Sequence, residues 1–356
     1  MSQDDPEQKQ DALPPSTVPS CQLSFRGLSD NHEWNERFIR NFQDVLFTCG
    51  RYMDLSLLDG VTAGFDYDDA LASVDLGYES TVARQYTNEG GLLGVAKVLR
   101  VKREGGIKVH AVFDAKVVGA LAGEEICWPA VNIVAHELAH VTVIGWFQAH
   151  SPGVMLAPHK GDWAVATMRE VAHTIWEEYA ACRLCAPLTQ GDAVLAIYAD
   201  STELAVDGAM DKAREAIKAY RTHGEIDRLL VETTGRVANP LKMAAYLMGH
   251  ADGQETDFDA EDRLPATRAS EFWPLLPDLL TALRAAWESR HAWNGLEGED
   301  GIVRVVQDAL ARAGAIVTLQ QEPPGSRVDV PFSAATMPNG EADMAVIRML
   351  EPWRPG

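Results

Sequence analysis

PAVNIVAHELAHVTVIGWFQAH, residues 129–150, is the stretch that organises the rest of the chain. It is apolar almost all the way round, and Pro129 suits the first turn of a helix, where a missing N–H costs nothing. A helix without a polar face belongs inside a protein, so its few polar residues need a reason. Five of its residues are His136-Glu137-Leu138-Ala139-His140. Positions four apart on a helix lie one turn up and about 40° round, so both imidazoles face one point. Neutral imidazole is a good zinc ligand, and two from one rigid helix need little ordering. Glu137, beside the first histidine, reaches the open side of such a metal. There it can take a proton from an attacking water whose pKa the metal has lowered.

An open zinc site needs a third protein ligand. A third histidine at the spacing H-E-x-x-H-x-x-G-x-x-H is absent, because Val143 and Trp146 stand at the glycine and histidine positions. His150 lies ten residues beyond His140, about 15 Å further along a continuous helix. It could serve only if the helix broke at Gly145. The next helical stretch, DWAVATMREVAHTIWEEYAACRLCA (162–186), offers Glu177 and Glu178. Adjacent helical residues point in different directions, so one can face the metal while the other is solvated. Cys182 lies one turn beyond Glu178 and is a minor alternative donor. With Cys185 it reads more simply as a pair of small buried hydrophobes. Tyr179, His173, His159 and His250 are candidate donors to a developing oxyanion.

With these two helices the chain resembles the gluzincin branch of zinc metallopeptidases, as in the ImmA/IrrE-type and HtpX-like peptidases. His136-Glu137-x-x-His140 is followed by Glu178-Tyr179-Ala180-Ala181, which is similar to the family's E-x-x-A-[D/N] helix; Cys182 stands where the family has Asp or Asn. The resemblance, over roughly residues 90 to 190, implies Zn2+ held by His136, His140 and Glu178, with Glu137 as catalytic base. It implies an α+β, zincin-like fold: a small antiparallel sheet packed on the motif helix and a glutamate-bearing helix, with a mostly α-helical C-terminal extension. It also implies a protein or peptide substrate bound in extended form along a rim strand, for which residues 92–104 are the candidate.

The flanking sequence is consistent with that frame. HEWNERFIRNFQDVLFTCGRYM (32–53) repeats Trp34, Phe38, Phe42, Leu46 and Phe47 at helical spacing, with Ser29 or Asp30 as cap. GLLGVAKVLRVKR (91–103) and GIKVHAVFDAKVVGALAG (106–123) read as strands joined at a hairpin around Glu104-Gly105-Gly106. Further helices are expected near 193–222, 225–249, 271–290 and 301–313, and the Pro-rich tail beyond is weakly patterned. The expected organisation is a disordered tail over 1–20, a metallopeptidase domain over 21–250, and an acidic linker with helical extension over 251–356.

A chain of 356 residues with 31 basic and 52 acidic side chains carries a net charge of −21. That argues against a nucleic-acid or anionic-membrane partner, either of which needs a basic face, although a local basic patch can exist on an acidic protein. Lys97, Arg100, Lys102 and Arg103 form the one dense basic run, which reads as a solvated strand edge. Five cysteines without disulfide rhythm, and an acidic N-terminus without an apolar core, point to a cytoplasmic protein. The expected activity is zinc-dependent peptide hydrolysis; the alternative is a non-catalytic, zinc-stabilised binding or scaffold protein.

Overall fold

The computed structural model describes residues 13–80, 88–89, 92–157, 161–260, 263–293, 295–321 and 324–350. The protein is a mixed α/β chain, mostly helical with small sheets. It divides into two compact units, residues 1–86 with 95–142, and residues 87–94 with 143–356.

The first unit begins with β1 (Gln22–Arg26), α1 (His32–Tyr52), β2 (Leu58–Gly64) and α2 (Tyr67–Ala72). A short antiparallel pair, β3 (Asn88–Glu89) with β4 (Leu92–Leu93), belongs to the second unit by its contacts. Then come β5 (Ala96–Arg103), β6 (Gly106–Asp114), α3 (Ala115–Val118) and α4 (Trp128–His150). The four-stranded sheet has the order β1-β2-β6-β5. It is mixed, which corrects the antiparallel sheet expected from the sequence. β1–β2 and β2–β6 are parallel, and only the β5–β6 hairpin, turning at Glu104-Gly105, is antiparallel. Parallel neighbours need a crossover between them, and α1 and α2 lie in those two crossovers.

Both faces of the sheet are covered. Phe38 and Phe42 of α1 meet Phe25 at 5.6 and 5.7 Å between ring centroids, and Phe42 meets Phe113 at 5.4 Å. All three of these edge-to-face contacts suit aromatic quadrupoles. On the other face Tyr67, Ala70 and Leu71 of α2 pack with Leu99, Val101 and Val112. Asn31, not Ser29 or Asp30, caps α1 by accepting from the Trp34 N–H. Phe47, counted in the sequence as part of the apolar stripe, is exposed. Residues 13–20 lie in the stretch read as a tail, yet they are anchored. The Thr17 hydroxyl donates to the carbonyls of Gly50 (2.9 Å) and Met53 (2.7 Å) and accepts from the Leu55 N–H (2.9 Å). Those carbonyls are the unpaired acceptors at the end of α1, so the segment serves as its C-terminal cap.

The second unit is built on α5 (Trp163–Cys185), α6 (Ala193–Val206), α7 (Ala209–His223) and α8 (Ile226–Gly253). The helix expected over 193–222 is two helices, because Gly208 sits at φ +60° and caps α7 in a conformation that breaks the run. After α9 (Pro265–Ala269), α10 (Leu276–Ser289) and α11 (Asp300–Ala313), the weakly patterned tail forms a hairpin, β7 (Ile316–Gln321) with β8 (Pro324–Asp329), and α12 (Glu341–Leu350). One core runs from Val143 through Trp176 and Tyr179 of α5, Leu241 and Met248 of α8, and Leu279 and Leu310, to Val317. The 250/251 boundary expected from the sequence therefore falls inside α8 and inside this core.

α5 and α8 form the most extensive helix pair. Glycine makes it close. A Cβ added at Gly253 would lie 2.5 Å from the Arg183 carbonyl oxygen and 2.7 Å from Ala186 Cβ, and one at Gly249 would sit 3.0 Å from Cys182 Cβ and overlap the Tyr179 carbonyl. Among the described residues α4 is the one helix long and apolar enough to cross a membrane, and 83% of its apolar window is buried in the protein. It is a core helix, as a helix apolar on all sides should be.

Candidate metal centre

α4 is continuous from Trp128 to His150, so His136 and His140 project one turn apart on a single rigid element. Both are 6% exposed. Their Nε2 atoms lie 3.1 Å apart, with the rings at 89°. The unbroken helix also removes His150 as a third ligand, since nothing bends at Gly145.

On α5 the two neighbouring glutamates go different ways. Glu177 turns back along its own helix to His173, whose Nε2 is 3.7 Å from its carboxylate. The other nitrogen of His173 meets the fully buried Glu299 at 2.7 Å. Glu178 instead joins the histidines: one donor atom each from His136, His140 and Glu178 lies within 4.8 Å of the others. Among the described residues this is the group of His, Cys, Asp or Glu side chains with spacing for a metal ion, and Cys182 is not in it.

The donor set fits zinc. Two imidazole nitrogens bound at a tetrahedral centre with bonds of about 2.0–2.1 Å stand about 3.3 Å apart, close to the separation found here. Two imidazoles and one carboxylate are also the three-ligand set of sites that keep a coordination position open.

Tyr246 of α8 meets Glu178, its hydroxyl hydrogen-bonded to the Glu178 carboxylate. Burial of that hydroxyl, followed by the charge of Glu178, pushes the phenol well above its ordinary 10, so it keeps its proton and donates. The Tyr246 ring lies 5.4 Å from Tyr198, which in turn lies 5.5 Å from buried His250. Near Glu137, Tyr67 is a second phenol held protonated. Burial raises its pKa most, and the negative charges of Glu137, Asp114 and Asp68 add to the effect.

The donors expected from the sequence fare differently. Tyr179 is committed elsewhere: its hydroxyl donates to Asp252 (2.5 Å) and accepts from Arg183 (2.7 Å). Asp252 also takes a two-pronged pair from Arg284 at 2.6 and 3.0 Å. His173 is held between Glu177 and Glu299, His250 packs on Tyr198, and His159 lies outside the described residues. Tyr246 and Tyr67 carried no signal in the sequence; each stands far along the chain from the glutamate whose charge acts on it.

A second polar cluster sits on the sheet of the first unit. Arg103 grips Asp59 with two bonds of 2.7 and 2.8 Å, Asp59 meets His110 Nδ1 at 3.3 Å, and His110 Nε2 meets the Thr62 hydroxyl at 3.0 Å. Burial alone would raise Asp59, but the bonds from Arg103 and His110 outweigh it and hold the carboxyl below 3.8. Burial keeps His110 below its ordinary 6.5 despite Asp59. The hydroxyl–imidazole–carboxylate order is that of a nucleophile triad, but the arginine neutralises the carboxylate and Thr62 is a buried strand residue. It reads as a satisfied structural network.

Comparison of the chain with protein-family profiles, with curated protein sequences and with solved structures returns no match.

Proposed function

We propose that the chain is a zinc-dependent peptidase of zincin-like design, with His136, His140 and Glu178 as metal ligands and Glu137 as general base. The observation that carries this reading is the convergence of three donor atoms within 4.8 Å on two buried helices, with a spare glutamate next to the first ligand. A closed, purely structural site would use four protein ligands and have no need of that glutamate. When bound, the ion supplies Lewis acidity and lowers the pKa of water towards neutrality.

The chain's own residues do the rest. Glu137 takes the proton from the attacking water and passes it to the departing amine, a role that ordinarily contributes 10²–10⁴-fold in rate. Tyr67 is the O–H donor we assign to the developing oxyanion, because it keeps its proton beside Glu137. A substrate of extended peptide fits an edge strand, and β5 is the outer strand of its sheet. At its far end the Lys102 N–H is already bonded to the Leu76 carbonyl at 2.7 Å, so an added strand would start before that point.

The test is metal stoichiometry together with hydrolysis of an unfolded protein, for the full chain, for His136→Ala and for Glu137→Gln. The expected result is one zinc per chain in the parent and in Glu137→Gln, loss of zinc in His136→Ala, and loss of hydrolysis in both variants. Full hydrolysis by Glu137→Gln would overturn the reading. One zinc with no hydrolysis of any peptide would assign the ion to stabilising a binding protein instead.

A further inference from the structure

We propose that Tyr246 is a positioning residue for the metal site: its phenol holds one oxygen of Glu178 so that the other is presented to the ion. This rests on the reading of His136, His140 and Glu178 as ligands. Gly249 and Gly253 let α8 lie directly on the backbone of α5 at Tyr179, Cys182, Arg183 and Ala186. Tyr246 is one turn before Gly249, and Glu178 immediately precedes Tyr179, so the close approach brings phenol and carboxylate together. Residues three apart on a helix share a face.

The contact is a hydrogen bond from the Tyr246 hydroxyl to the Glu178 carboxylate. Tyr198 packs on the tyrosine ring at 5.4 Å and restricts its swing. Glutamate has three rotatable bonds, and a carboxylate with two equivalent oxygens can approach a metal in several ways. A donor fixed on a neighbouring helix selects one oxygen and one rotamer before the metal arrives. Partners of this kind typically change metal affinity 10–100-fold when removed.

The experiment measures zinc affinity of the full chain by competition with a chromophoric chelator, alongside the visible spectrum of the cobalt form and the melting temperature of the metal-free chain. Tyr246→Phe removes one hydroxyl and keeps the ring. The expected result is a 10–100-fold weaker zinc affinity and an altered cobalt spectrum, with the metal-free melting temperature little changed. Tyr198→Phe, which keeps the ring contact, should match the parent. In a Glu178→Ala background, Tyr246→Phe should add no further loss, since the residue it acts through is gone. Parent-like affinity and spectrum in Tyr246→Phe would overturn the inference while leaving the site intact, as would an equal loss in the Glu178→Ala background. A parent chain that binds neither zinc nor cobalt would overturn the site reading itself, and the inference with it.

Discussion

Gly249→Ala and Gly235→Ala place the same methyl group in one helix and should move stability in opposite directions. Gly235 is exposed, and a Cβ built there meets nothing within 4 Å. Replacing a helical glycine by alanine at such a position gains about 0.5–1 kcal/mol, mainly by restricting the unfolded chain. The same gain operates at Gly249, but the added carbon overlaps the Tyr179 carbonyl and touches Cys182 Cβ at 3.0 Å. An ordinary C···O contact is about 3.3 Å, so α8 would have to retreat from α5 by roughly 1 Å. Overpacking of a tight core costs about 1–3 kcal/mol, and here it falls on backbone, which cannot rotate away. The expected balance is a loss of up to about 2 kcal/mol for Gly249→Ala, and a gap between the two variants of about 1–3 kcal/mol, the overpacking cost alone. Urea unfolding followed by tryptophan fluorescence, with unchanged slope, gives both numbers. If Gly249→Ala is as stable as the parent or more so, the close helix approach is wrong, and the geometry that brings Tyr246 to Glu178 goes with it.

Other expectations follow from the charged groups and the metal. Asp252 is 7% exposed; burial alone would raise its pKa, but bonds from Arg284 and Tyr179 and the charge of Arg183 hold it below 3.8. A lowered carboxyl adds stability that is fully present above its unfolded value and lost as the pH falls through the folded one. Asp252→Asn should therefore cost about 3 kcal/mol at pH 7, the low end for a buried pair because Arg284 is half exposed, with the gap between variant and parent closing as the pH falls below 3.8 and through the lowered folded value. A gap that persists undiminished in acid would show the loss to be packing alone. Zinc at one hundred times its dissociation constant should stabilise the chain by about 2.7 kcal/mol, and chelation should reverse this. Glu137→Gln should keep that stabilisation and His140→Ala should not; calorimetry with and without zinc decides it. Tyr67→Phe should lower kcat on a peptide by about 10²-fold with zinc affinity unchanged, and an unaltered kcat would remove Tyr67 from oxyanion binding.

What could be read in the sequence was what is local. The run Trp34, Phe38, Phe42, Leu46 records one helix face, and Glu104-Gly105 between two alternating strands records a hairpin, because both are settled within a few residues. His136 and His140 were legible for the same reason: one helix turn fixes their relation. The order β1-β2-β6-β5 was not, since parallel pairing joins strands separated by whole helices and leaves no local mark. The hairpin of β7 and β8 escaped because Ile316, Val317 and Leu319 do not alternate cleanly and Pro324 opens the second strand. Asn31 rather than Ser29 or Asp30 caps α1 because Ser29 is used to hold Asn31 and Asn35. Glu178 could be named against Glu177 only by resemblance; in the structure the difference is that His173 and Glu299 lie on Glu177's side of α5.

The burial of α4 bears on how the chain is made. While α4 emerges during synthesis and the rest of the fold is still missing, it is a 23-residue apolar segment of spanning length. Translocation machinery weighs such a segment residue by residue, and an ionised side chain near its middle counts against insertion by about 2.5–3.5 kcal/mol. Glu137 stands near that middle, flanked by His136 and followed by His140. By this reasoning the charge of Glu137 weighs against insertion of the nascent helix into a bilayer, and Glu137→Leu would remove that penalty.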